Sequence, residues 1–146
     1  MARTLAVIGD RWTLLILRDC FLRVRRFEAF QERLGIGRPI LTNRLRSLVD
    51  NGVLVRVQYH EKPSRFEYRL TPRGLDLYPV IMAIVHWGDV HTADASGRPL
   101  LHSHKRCGHI FDPVAACSHC SEVLLPHDVT VLPGPGRESR AAGGAG

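Results

Sequence analysis

Between Phe27 and Leu70 the chain sets out two short amphipathic segments, a glycine joint and two alternating stretches, an order that few folds can accommodate. At its centre is the run Arg38-Pro39-Ile40-Leu41-Thr42-Asn43-Arg44-Leu45-Arg46-Ser47-Leu48-Val49-Asp50-Asn51-Gly52. Leu41, Leu45 and Leu48 recur at i, i+4 and i+7, flanked by Ile40 and Val49, which is the stripe of a helix that buries one side. Pro39 suits a first helical turn, and Asn51-Gly52 is a stop signal. At about 100° per residue, Pro39, Thr42, Asn43, Arg46 and Ser47 lie away from the stripe. The outward face is therefore short, hydroxylated and basic, with one acid, Asp50, near its far end. Such a face fits a DNA major groove, where amide and guanidinium groups meet base edges.

The flanks agree. Phe27 to Leu34 has helical apolar spacing, and Gly35 to Gly37 is a short joint, so the two helices read as a helix-turn-helix. Val53 to Tyr59 is rich in β-branched residues and predicts a strand, as does Phe66 to Leu70. His60 to Arg65 joins them as a loop carrying Lys62, Pro63 and Arg65, the basic tip of a wing. The expected fold is mainly α with a small β-hairpin (α+β), a winged helix-turn-helix domain followed by a small zinc-ribbon-like appendage. The competing reading is an ordinary small α+β core with solvated arginines.

Charge follows the same division. Residues 1–73 hold fifteen Lys and Arg against seven Asp and Glu, whereas residues 74–146 hold five against seven. The cation excess sits on the helix-turn-helix and wing, as a phosphate-binding surface requires. No run of 18 apolar residues occurs and the N-terminus lacks a signal-peptide pattern, so no membrane partner is expected and a cytoplasmic location is.

Upstream, Met1 to Ile8 is short and mostly apolar, and Arg11 to Phe21 predicts a buried helix with Asp10 as N-cap. Cys20 reads as a buried structural cysteine, or as a redox thiol if Arg18 or Arg23 stabilised its thiolate. The run Arg23-Val24-Arg25-Arg26 can reach phosphates or be solvated. Downstream, Thr71-Pro72 opens a helix expected to continue to Trp87, apolar on more than one face. The second face suits the same helix of a two-fold mate, or else it covers the appendage. Pro79, inside this segment, predicts a kink costing about 3 kcal/mol. The expected organisation is a DNA-binding and dimerisation domain over 1–91, a linker over 92–101, a Cys/His module over 102–132 and a disordered tail over 133–146.

In the Cys/His module, Cys117 and Cys120 form a Cys-x-x-Cys pair, which is half of a zinc site, and His104 and Cys107 repeat that spacing nine residues upstream. The expected cofactor is a structural Zn2+ on His104, Cys107, Cys117 and Cys120, with His102, His109 and His119 as alternative nitrogen ligands. A Cys117–Cys120 redox pair or disulfide is the competing reading. Four protein ligands leave no open position on a metal, and Glu122 alone is a slender general base, so no enzyme activity is expected.

Several of these stretches together resemble a known family. Ile8-Gly9-Asp10-Arg11-Trp12-Thr13-Leu14-Leu15-Ile16-Leu17-Arg18 and Arg25-Arg26-Phe27 are similar to the opening signature of HxlR-type bacterial transcriptional regulators. Leu41-Thr42-Asn43-Arg44-Leu45-Arg46-Ser47-Leu48, Gly52-Val53-Leu54, Glu67-Tyr68-Arg69-Leu70-Thr71-Pro72-Arg73-Gly74 and Trp87-Gly88 continue the match in order. The resemblance implies a winged helix-turn-helix homodimer acting on palindromic operators in double-stranded DNA. It implies a recognition helix from Arg38 to Asn51, a wing around Lys62 to Arg65, and a dimer interface of the N-terminal segment with the helix ending at Trp87. Arg38, Thr42, Asn43 and Arg46 are expected at or near bases, and Arg25, Arg26, Lys62 and Arg65 at phosphates. Arg44 sits at a typical family arginine near the core edge, to brace the fold or meet a phosphate. No small-molecule effector can be read from the chain. A winged-helix module docking proteins through the Cys/His appendage is the alternative function.

Overall fold

The structure, a computed structural model, describes residues 1–135; the expected disordered tail lies, from residue 136 onward, outside the described residues. Contacts divide the chain into a unit from Met1 to Phe111 and a second beginning at Asp112.

Local signals set the first unit's elements. The opening segment, expected only to be apolar, is a helix, α1 (Ala2–Ile8), which turns Ile8 into the core. Asp10 has extended backbone and its carboxylate accepts from the N–H groups of Trp12 and Thr13 at 3.0 and 3.2 Å. A cap of this kind contributes about 1 kcal/mol to the helix it starts, here α2 (Arg11–Phe21). That helix closes through Arg23, left-handed at φ 66°, which lets the Val24 N–H reach the Asp19 carbonyl. α3 (Phe27–Leu34) ends at Gly35, also left-handed at φ 60°, and α4 (Arg38–Asp50) follows. Ile16 and Leu17 from α2, Phe30 from α3, Ile36 from the joint, and Leu41, Leu45 and Leu48 from α4 form one buried cluster. The i, i+4, i+7 stripe of α4 is the side that meets it.

β1 (Leu54–His60) and β2 (Arg65–Leu70) pair antiparallel, with Leu54 opposite Leu70, Arg56 opposite Tyr68 and Gln58 opposite Phe66. The register shifts between Gln58 and His60, just before the tip. The architecture is mostly helical with a two-stranded hairpin, in the manner of a winged helix.

The segment after the hairpin departs from expectation. It is two helices, α5 (Pro72–Leu75) and α6 (Tyr78–His91), and Pro79 kinks neither of them. Pro79 lies in the first turn of α6, where a missing N–H costs nothing because that N–H has no helical partner. The short α5 is held against the hairpin base. Thr71 Oγ1 caps it by accepting from the Gly74 N–H at 3.1 Å, and donates to the Gly52 carbonyl at 2.6 Å. Gly74 presses so closely on the backbone just before β1 that a Cβ there would stand 2.2 Å from the Val53 carbonyl oxygen.

Residues 102–111 close the first unit in a tight turn, in which the His104 N–H reaches the His109 carbonyl. In the second unit, a tight turn spans Cys117 to Ser121 and a short 3-10 helix spans Pro126–Asp128; none of its described residues is buried. Among the described residues, no helix is long and apolar enough to cross a membrane.

Candidate nucleic-acid interface

Packing decides which side of α4 stays free. With Leu41, Leu45 and Leu48 in the core, Arg38, Pro39, Asn43, Arg46 and Asp50 are exposed, and Thr42 and Ser47 half-exposed. The face expected to read bases is thus open to solvent. Thr42 Oγ1 is turned back to the Arg38 carbonyl at 2.9 Å. That engages its hydrogen and leaves its lone pairs and methyl outward. No side chain caps the N-terminus of α4, so its first N–H groups remain available to water or a phosphate.

A groove of about 760 Å³ lies between α3, the start of α4 and the hairpin, lined among others by Arg26, Arg38, Arg56, Arg65, Tyr59 and Phe66. Three of its arginines are placed by aromatic rings. The Arg26 guanidinium lies 4.9 Å from the Tyr59 ring centroid, that of Arg38 4.9 Å from Phe27, and that of Arg56 3.5 Å from Phe66. Each such contact is worth about 0.5–1 kcal/mol at an exposed site, enough to favour one orientation of a long side chain. Glu28 and Glu32 also line the groove, so its positive field is partly balanced.

Of the residues expected at phosphates, Arg26 and Arg65 line this groove. Arg25 is exposed and its carbonyl accepts from the Tyr68 N–H at 2.8 Å, which fixes the loop before α3 on the hairpin. Lys62 is exposed at the tip, and Arg65 begins β2. Arg44 lies apart from them. Its Nε is 3.0 Å from Asp10 Oδ1, an ion pair that falls short of hydrogen-bond angles and ties α4 to the N-terminus of α2. Within the fold, Arg44 braces the helix that carries the other side chains. Arg56 is a groove residue that sequence reading missed. Only the register, which sets it opposite Tyr68 and over Phe66, brings it to the groove.

Two other groups singled out by sequence sit elsewhere. Cys20 is buried, and burial, with the neighbouring Asp19 charge, pushes its thiol up to about 12. It is a neutral core thiol at physiological pH. In the Cys/His stretch, His104 Nδ1 is 3.3 Å from Cys107 Sγ. The Cys117 thiol is held below its ordinary pKa by N–H groups of Cys120 and His119 and by the Cys120 side chain. Among the described residues no group of three or more His, Cys, Asp or Glu is assembled around a metal position. Each pair lies within one unit, His104 with Cys107 in the first and Cys117 with Cys120 in the second.

Comparison with known proteins matches residues 7–96 to the HxlR-like helix-turn-helix family. An uncharacterized HTH-type transcriptional regulator of Mycobacterium tuberculosis is 44% identical over 142 residues, covering 97% of this chain and 90% of the relative. Among solved structures, PA1607, a proposed transcription factor, is 37% identical with a TM-score of 0.80, covering 90% of this chain and 92% of that one. The oxidized form of the redox regulator HypR is 30% identical with a TM-score of 0.58, over 64% of this chain and 97% of its own. These relatives are described as regulators rather than enzymes. The matched span takes in every element from α2 to α6 and the whole groove, and the chain belongs to the HxlR-like helix-turn-helix family.

Proposed function

We propose that the protein is a homodimeric regulator of transcription that binds a palindromic operator through α4 and the hairpin. The observation that carries this reading is the free face of α4 standing beside a groove in which Arg26, Arg38 and Arg56 are held by aromatic rings. Asn43 and Arg46 lie on that face with Thr42 at its edge, and Arg38 at its start, where side chains of a recognition helix meet base edges. Arg26, Arg56 and Arg65 line the groove, Arg25 and Lys62 are exposed, and all five suit phosphates. Phosphate contacts supply affinity and register, and base contacts supply choice of site. A two-fold dimer would set two such helices about 34–36 Å apart on one face of the duplex.

The first test is retention of sheared host DNA at physiological salt, followed by sequencing. A shared two-fold symmetric motif is the expected result. Retention without a common sequence would remove operator recognition, and no salt-dependent retention at all would move the reading to a protein-docking module.

Two substitutions separate the roles. Arg65→Ala should weaken operator and random DNA alike and make the salt dependence shallower by about 1 in the log-log slope. An unchanged slope rejects a phosphate contact at the wing. Asn43→Ala should cost about 1–3 kcal/mol at the operator while sparing random DNA. Equal losses on both would show that Asn43 does not read a base.

A further inference from the structure

A second cavity, of about 780 Å³, lies where α6 packs on the end of α2, and every residue lining it belongs to the unit from Met1 to Phe111. Its apolar side is Ile81, Met82 and Val85 from α6 with Phe21 and Leu22 from the end of α2. Tyr78, also in the lining, meets the Phe21 ring edge to face with centroids 5.0 Å apart. The chain beyond α6 supplies a further wall. The Gly97 N–H reaches the Asp94 carbonyl at 3.0 Å, with Gly97 left-handed at φ 83°, and this turn brings Pro99 and Leu100 to the same cavity. Residues expected to be a plain linker thus enclose a space. Its size falls within the range of about 300–1,000 Å³ typical of small-molecule pockets, which are apolar with a few polar groups that fix orientation.

The polar groups here include Arg18 and Arg33, both in the lining and both bonded to the buried Asp19. Asp19 engages Nε and Nη2 of Arg18 and Nε of Arg33. That leaves Nη1 of Arg18 and both terminal nitrogens of Arg33 to meet another acceptor. Two guanidinium charges share one carboxylate, so this cluster carries one positive charge in excess. Of the acids that line the cavity, Asp94 accepts from the N–H and hydroxyl of Ser96, and Asp89 stands on α6. An excess guanidinium charge beside an apolar wall suits a molecule with a carboxylate at one end and a hydrocarbon body at the other. The unbranched, polarisable Met82 lets the wall adapt to the shape of that body.

We propose that this cavity binds a small amphipathic carboxylate, its anionic end at Arg18 and Arg33 and its apolar end against Phe21, Ile81, Met82 and Val85. Arg33 belongs to α3, so an occupant joins α6 to the first helix of the helix-turn-helix. Binding is read directly on the protein and stands or falls apart from operator recognition.

The test titrates the full-length protein, 13C-labelled at its methionine methyls, with 4-phenylbutyrate, and with 4-phenylbutanamide and 4-phenylbutylamine as its neutral and cationic counterparts. The Met82 methyl resonance should shift and saturate with the carboxylate. The amide should bind about tenfold more weakly, the usual difference between a charge-assisted and a neutral hydrogen bond, and the amine weaker still. Arg33→Gln should abolish the preference for carboxylate over amide, because Arg18 and Asp19 then cancel. A general loosening of the fold would instead weaken both alike. Gly88→Leu fills the site from a position that tolerates it. A Cβ there meets only Thr92 Oγ1, at 3.7 Å, and leucine favours a helix over glycine, so this variant should melt no lower than the unaltered protein yet lose the shift. A Met82 resonance that none of the three compounds moves would overturn the proposal. So would an amine that binds as well as the carboxylate, or binding that survives in Gly88→Leu.

Discussion

Replacing Arg18 and Arg33 together by alanine is expected to lower the unfolding free energy by about 3–5 kcal/mol. Asp19 has no solvent exposure, yet it sits in a core of leucine, isoleucine and phenylalanine side chains. Both its oxygens are met by guanidinium groups. Arg18 donates to Oδ1 from Nε at 3.0 Å and Nη2 at 2.8 Å, and Arg33 donates to Oδ2 from Nε at 3.2 Å. The arginines are 39% and 49% exposed, so they lie at the rim and can return to water when the acid is removed. The carboxylate has no such recourse. Either arginine alone still offers a counter-charge, so each single variant should cost less than half of the double. This is coupling between neighbours that share a partner. For a domain near this size, 1 kcal/mol moves Tm by about 4–8 °C, and the double variant should melt more than about 12 °C early. Adding Asp19→Leu to the double variant should recover part of the loss, because the stranded charge goes with it. Single effects that simply add to a few tenths of a kcal/mol would mean that Asp19 is not a desolvated charge.

That ion cluster marks where sequence reading stopped. Local signals were legible: Asp10 before an apolar run reads as a cap, and α3 and α4 begin and end close to where spacing and glycines place them. The acid at position 19 is visible in the sequence, but its partner Arg33 lies fourteen residues away on another helix. Only packing brings them together. Arg56 was hidden for a similar reason, because its side of the hairpin depends on a register with Tyr68 that strand propensity does not set. The division between α5 and α6 failed differently. A proline can kink a helix or begin one, and the spacing of apolar residues through Leu75, Leu77 and Tyr78 does not distinguish the two. Thr71 and Gly74 also hold α5 on the hairpin base, a contact remote in sequence. In the Cys/His stretch, the spacing of His104 with Cys107 and of Cys117 with Cys120 could be read, but the form of the turn from Cys117 to Ser121 could not, since nothing in Ser121 announces a left-handed residue.

The other large effect should come from the free side of α6. Ile81, Met82 and Val85 turn toward the body of the first unit, whereas Val80, Ile84 and Trp87, at i, i+4 and i+7, are exposed by 41, 48 and 62%. Leu5 on α1 is 55% exposed. An exposed apolar row on a helix of this kind is costly in water unless a partner covers it, and a second copy of the same helix is self-complementary by symmetry. Ile84→Glu with Trp87→Glu should therefore give a monomer by light scattering, with helix content unchanged because both side chains point away from the core. The consequence for DNA follows from linkage of two half-sites. Once one helix is bound, the other is held at an effective concentration in the millimolar range, so joining them raises affinity by about 10²–10⁴. The double variant should lose affinity for a palindromic operator by that factor while a single half-site is bound as before. A variant that stays dimeric would place the interface on another surface. A monomer that keeps full operator affinity would mean that one α4 and one hairpin suffice, and the symmetric model of recognition would fail with it.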